Sequence, residues 1–142
     1  MERTIREARV EDLLSIWPRA GNDPIDASEV LSFADRLVPP HAGISIVSGE
    51  QILACAGIEE MWPGVGHAWA VVSQEAVRRP FSVVRALRDR LQAEIAARGL
   101  WRVETTVRVG WKDALRFAKW LGFKEEGILR KYDPEGRDHY MV

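Results

Sequence analysis

The chain switches repeatedly between two spacings of apolar residues, and each switch marks an element. Thr4–Ala8 alternates and reads as a first strand. Val10, Leu13, Leu14 and Trp17 then recur at helical spacing until Pro18 stops them. Gly21, Asn22 and Pro24 mark a loop. Asp26 and Glu29 form a capping-box pair ahead of Val30, Leu31, Phe33, Ala34 and Leu37, a second helix closed by Pro39-Pro40. Ile44–Ser48 alternates, Gly49-Glu50 turns and Gln51–Ile58 is apolar, which predicts a hairpin. Met61–Gly66 is expected as the next turn, with His67–Val72 as the returning strand.

The rest of the chain is organised around Ala68 to Gly99. Ala68–Val72 is an apolar run of strand length, and Ser73–Arg79 is polar and carries the adjacent arginines Arg78 and Arg79. Pro80 suits a first helical turn, where its missing N–H costs nothing. Val84, Leu87, Leu91 and Ile95 then recur at helical spacing, and Gly99 stands where a left-handed C-cap belongs. A strand that enters a helix through a basic turn presents free N–H groups and the helix dipole, which together suit an anion. A plain strand-to-helix crossover fits the same pattern. Leu100–Val109 reads as one strand. Lys112–Leu121 reads as an amphipathic helix with Ala114, Phe117, Ala118 and Leu121 inward and Gly122 as its cap. Gly127–Tyr132 and Arg137–Met141 predict a hairpin around Asp-Pro-Glu-Gly. The expected order is β-α-α-β-β-β-α-β-α-β-β, a mixed α/β sheet in one domain spanning residues 1–142. Its βαβ unit supplies parallel strands with splayed ends.

Composition narrows the function classes. The 142 residues are 46% hydrophobic and 29% charged, with formal net charge −1. That balance fits a soluble domain and argues against a nucleic-acid or membrane partner, as do basic residues without interleaved exposed aromatics. No apolar leader and no run of about 20 apolar residues is visible, so a cytoplasmic protein is expected. The single cysteine, Cys55, rules out an internal disulfide and reads as a buried, inert thiol. His41, His67 and His139 show no metal-ligand spacing, so no metal is expected.

Trp111–Phe123, WKDALRFAKWLGF, resembles the penultimate helix of the GNAT superfamily of acyl-CoA-dependent N-acyltransferases, which often reads N-x-x-A-x-x-x-Y-x-x-x-G-F. Ala114, Gly122 and Phe123 fall on that pattern, and Glu126-Gly127 follow it. The likeness covers the whole chain by element order, and residues 67–142 by motif. It implies a GNAT-like fold, acetyl-CoA as acyl donor and a small-molecule or protein amine as acceptor. The family's pyrophosphate turn reads Q/R-x-x-G-x-G/A; the matching residues here are Arg79-Pro80-Phe81-Ser82-Val83-Val84. The arginine is kept, and Ser82 and Val84 replace both glycines. Where the family carries a tyrosine as general acid this chain has Ala118, and where it carries asparagine it has Trp111. The resemblance therefore implies a cofactor site of Val71, Val72, Ser73, Arg79, Ser82, Val83, Val84 and Arg85, with Trp111 and Phe117 at the pantetheine exit. Within the superfamily, AWAVVSQEAVRRPFSVVRALR, LWRVETTVRVG and ALRFAKWLGFKEEG are similar to GNAT-like internal virion assembly proteins of short-tailed phages. That narrower likeness implies a phage origin and a location in host cytoplasm or virion.

Aminolysis of a thioester needs a base for the amine and donors for the oxyanion. Glu59 and Glu60, expected to end the third strand, are the base candidates; a solvated strand end is the commoner reading of such a pair. A His67–Glu60 pair is a second candidate base and also an ordinary surface pair. Tyr132 and Tyr140 lie in the terminal hairpin, where either could replace the missing phenol; packing or a hydrogen bond to backbone is the commoner reading of both. A non-catalytic alternative uses the same fold for assembly or protein contact, through an exposed tryptophan surface such as Trp62 and Trp69. A homodimer is compatible with either reading.

Overall fold

The computed structural model describes residues 3–16, 43–78 and 81–142. The expected helix Asp26–Leu37 and the arginine Arg79 lie outside the described residues. The elements run β1 (Arg3–Glu7), α1 (Val10–Ile16), β2 (Gly43–Ser48), β3 (Gln51–Trp62), β4 (Val65–Val72), α2 (Gln74–Arg78), α3 (Phe81–Arg98), β5 (Arg102–Glu104), β6 (Thr106–Arg108), α4 (Lys112–Trp120), β7 (Gly127–Leu129) and β8 (His139–Met141). Five strands form one sheet in the order β1-β2-β3-β4-β5, and three form a second in the order β6-β8-β7. β1–β2 and β2–β3 are antiparallel, whereas β4 and β5 are parallel, as a helical crossover requires.

Two compact units make up the chain: Met1–Glu59 with Ala68–Val83, and Glu60–His67 with Val84–Val142. In the first, Leu13 and Ile16 of α1, Ile46 of β2, Cys55 of β3 and Val83 are fully buried. Ile52, Leu53, Ala54 and Cys55 are buried consecutively, the pattern of a central strand covered on both faces. In the second unit, β8 pairs antiparallel with both β6 and β7. Val107, Ala118 and Val142 form the buried core there, with Trp111, Ala114, Leu115, Phe123 and Tyr140 packed against it.

Both glycine caps have the expected geometry. Gly99 has φ +63° and Gly122 φ +104°. At the end of α4, Gly122 N–H donates to the Lys119 carbonyl at 3.0 Å and Phe123 N–H to the Ala118 carbonyl at 3.1 Å. This is a Schellman ending, so the L-G-F run is first of all a helix stop.

Three expectations change. β3 does not stop at Ile58 but continues to Trp62, and the turn shrinks to Pro63-Gly64, with Gly64 at φ +90°. Pairing with β4 holds the polar tail of β3 extended. The polar stretch after β4 is not an open turn: Gln74–Arg78 is helical, and Ser73 Oγ caps it by accepting from Ala76 N–H at 3.2 Å. Leu100–Val109 is not one strand. It divides at Thr105, which exchanges reciprocal 3.0 Å hydrogen bonds with Val142, so β5 joins the first sheet and β6 the second.

Candidate active site

β4 carries the first part of the candidate site. Its parallel ladder with β5 covers Val65–Arg102, Gly66–Val103 and His67–Glu104, and β4 then runs on to Val72 without β5. Val71 is buried at the end of β4 and Val72 is half-buried. Ser73 is wholly buried. Its N–H donates to the Leu53 carbonyl at 2.9 Å and its hydroxyl caps α2. Its N–H and a hydroxyl lone pair are thus used by the fold. Phe81 and Ser82, the first residues of α3, are exposed, whereas Val83 is fully buried. Val84 is half-buried and Arg85 is exposed.

The acidic candidates separate. Glu59 and Glu60 lie inside β3 rather than at its end, because the strand continues to Trp62. Successive side chains of a strand point to opposite faces, so the two cannot serve one substrate together. Glu59 is half-buried and Glu60 exposed. The two-residue connection between Trp62 and Val65 sets Glu60 opposite His67, and His67 is in register with Glu104 of β5. Glu104 also accepts from Arg102 at 3.2 Å, and Arg102 is held in a bidentate pair by Glu126 at 3.0 and 2.7 Å.

The helix bearing the family motif is α4. Trp111 is half-buried at its N-cap, makes no side-chain cap and lies 5.5 Å under the Arg108 guanidinium. Phe117 and Ala118 are each 6% exposed. Phe117 therefore belongs to the buried face of α4. Ala118 is enclosed by the Val107–Val142 cluster, and Tyr140 packs against that same cluster. Tyr132 is instead exposed, its ring 5.1 Å from that of His139.

Two polar clusters carry no sequence signal. Asp12 Oδ1 and Oδ2 accept from Arg6 at 2.8 and 2.6 Å, and Oδ2 also accepts from Arg9 N–H at 3.0 Å and from Ser45 Oγ at 2.8 Å. Burial alone would raise the Asp12 carboxyl, but the hydrogen bonds from Arg6, Ser45 and Arg9 outweigh it and hold it below the ordinary value. Ser45 Oγ also lies 3.4 Å from Cys55 Sγ. Burial pushes the Cys55 thiol up to about 11, so at neutral pH it is a protonated core residue. In the terminal hairpin, Asp133 accepts from the backbone of Glu135 and Arg137, from Arg137 Nε at 2.7 Å, and pairs with His139 Nε2 at 3.0 Å. These bonds overcome burial and keep its carboxyl well below the usual range. Among the described residues no group of three or more His, Cys, Asp and Glu side chains could hold a metal ion.

No protein-family model and no curated protein matches this chain. Solved structures do match. Ard1 from Thermoplasma volcanium is 20% identical, with TM-score 0.78 over 98% of this chain and 94% of its own. The ribosomal-protein-S18-alanine N-acetyltransferase from Escherichia coli is 21% identical, with TM-score 0.75 over 99% and 91%. A GNAT-family acetyltransferase from Bacillus anthracis is 12% identical, with TM-score 0.74 over 99% and 93%. The chain has the GNAT fold. At these identities the likeness carries architecture, and the chemistry has to come from the residues themselves. Residues present in this GNAT fold suit a diphosphate: the first N–H groups of an α-helix have no intrahelical acceptor, and Ser82 and Arg85 present a hydroxyl and a guanidinium to solvent. The buried Val83 side chain is turned into the core and does not obstruct them.

Proposed function

We propose that this protein transfers an acetyl group from acetyl-CoA to an amine. The observation that carries the reading is the extent of β4, which outruns its parallel partner after His67 and leads within a few residues to the exposed Ser82 of α3. In this reading the α3 N–H groups, Ser82, Arg79 and Arg85 hold the pyrophosphate, and the backbone of Val71 and Val72 pairs with the pantetheine arm. The amine nitrogen attacks the thioester carbonyl, a carboxylate of Glu59 or Glu60 takes its proton, and the C–S bond breaks to release thiolate. Ala118 has no proton to give. A thiol of ordinary pKa near 8.5 takes its proton from water at neutral pH, so the missing phenol slows the step without forbidding it.

The loss of both glycines and of the tyrosine favours a second reading: a non-catalytic GNAT-fold protein acting in assembly, as the likeness to virion proteins suggests, or in protein contact. The two separate in a thiol-release assay. Acetyl-CoA is mixed with the protein and, in turn, an alanine-initiated peptide, a lysine-rich peptide and a polyamine. Amine-dependent release of free thiol above the protein-free rate supports transfer. No release with any amine leaves the non-catalytic reading in place.

A further inference from the structure

The tip of the β3–β4 hairpin carries two exposed indoles that acetyl transfer does not use. Trp62, the last residue of β3, is 57% exposed, and Trp101, just before β5, is 77% exposed. Their placement is built rather than incidental. Trp101 N–H donates to the Gly64 carbonyl at 2.9 Å, and Arg102 N–H donates to the same oxygen at 3.1 Å. The Trp101 ring lies so close over Gly64 that a Cβ there would stand 2.1 Å from Cζ2 and 2.2 Å from Cη2. One face of the indole is thus seated on bare backbone and the other faces solvent. Trp62 is separated from Gly64 only by Pro63, so the two rings flank one tight turn. Met61, also 45% exposed, adjoins them. Trp69, the other tryptophan expected at a surface, is half-buried with its Nε1 inside.

Size and charge together select the occupant. At about 250 Å² per tryptophan, the exposed indole area is roughly 300 Å², well short of the ~800 Å² per partner of a stable dimer. A short segment fits that area. The rim is acidic: Glu60 shares a strand face with Trp62, and Glu104 and Glu126 together face the single Arg102. Arg98, three residues before Trp101, shares Glu94 at 3.8 Å with Arg90 at 3.3 Å. Indole faces attract cations, and the surplus carboxylates add to that attraction. We propose that Trp62 and Trp101 form a docking platform for a lysine- or arginine-bearing segment of a partner protein.

The test reads binding rather than acetyl transfer, so Glu60, also one of the two base candidates, serves here only as a rim charge. Tryptophan emission of the full chain is titrated with hexa-arginine and with hexa-glutamate at low salt. Saturable quenching by hexa-arginine alone is expected. Trp62→Ala and Trp101→Ala should each weaken it at least five-fold. Glu60→Lys keeps both rings and reverses a rim charge, and it should weaken binding similarly, so the test does not depend on a tryptophan variant folding well. No saturation by hexa-arginine, equal response to hexa-glutamate, or unchanged affinity in Glu60→Lys and Trp62→Ala overturns the proposal. So does concentration-dependent self-association that Trp101→Ala abolishes, which would assign the surface to a second copy of the chain.

Discussion

Replacing Asp12 by alanine removes the acceptor for three donors in the core of the first unit. The side chain is 7% exposed, while that of Arg6 is 31% exposed. Two effects add. The charge-assisted bonds from Arg6 are worth about 1.5–3 kcal/mol, and a buried hydroxyl left without an acceptor costs about 1–3 kcal/mol. Ser45 is wholly buried and would keep only Cys55 Sγ at 3.4 Å. Arg6 is exposed enough to regain water, so the total falls at the lower end of the ~3–5 kcal/mol for breaking a buried pair. The expected loss is about 3 kcal/mol, a large share of the ~5–15 kcal/mol that holds a domain together. Urea denaturation followed by far-ultraviolet circular dichroism measures it, with Asp12→Ala, Arg6→Ala and the double variant forming a cycle. The pH dependence gives a second arm. The folded carboxyl titrates below its unfolded value near 3.9, so its contribution is complete above about pH 5 and fades as pH falls through the folded pKa. Asp12→Asn should flatten that acid limb. A loss under about 1 kcal/mol in Asp12→Ala, or an acid limb unchanged in Asp12→Asn, would refute the reasoning.

Three further outcomes follow from the same structure. Cys55 titrates near 11 when folded, above its unfolded value, so its contribution is present below about pH 8.5 and is lost as pH rises toward 11; Cys55→Ala should lose less stability than wild type over that interval in urea titrations at stepped pH. Gly64→Ala combines a positive φ with a 2.1 Å approach to the Trp101 ring, and should cost about 1–3 kcal/mol. Repeating it in Trp101→Ala should recover the steric part, and equal costs in both backgrounds would refute the contact. Placing at position 118 the tyrosine of the GNAT pattern, by Ala118→Tyr, should destabilise by about 1–3 kcal/mol rather than raise turnover, because Ala118 is enclosed by Val107 and Val142; a thermal melt beside the thiol-release rate decides it.

Helix ends were the most legible features because their causes are local. Leu87 and Val83 fall on the buried side of α3, and Gly99 and Gly122 take the left-handed conformations that their positions demand. The strand limits were less legible because partners far along the chain decide them. Thr105 breaks a run of β-formers only because Val142 exchanges hydrogen bonds with it. Glu59 and Glu60 look like a strand end by polarity, yet pairing with β4 keeps them extended. Ser73 was readable in principle, since serine ahead of Gln-Glu-Ala is an ordinary helix start. The Arg6–Asp12–Ser45 cluster has no linear spacing to betray it. In the candidate site, Ser82 and Arg85 are exposed near the start of α3 and Phe117 is buried on α4, the inward face that its helical spacing predicts.

The central claim is that the elbow from β4 into α3 grips the diphosphate of acetyl-CoA although both of its glycines are gone. Calorimetric titration of acetyl-CoA into wild type and Arg79→Ala tests it most directly. Saturable heat with wild type, weakened by about 1–3 kcal/mol in Arg79→Ala as for a charge-assisted contact, is the predicted result. No heat at millimolar acetyl-CoA, or equal affinity in the two proteins, would contradict it.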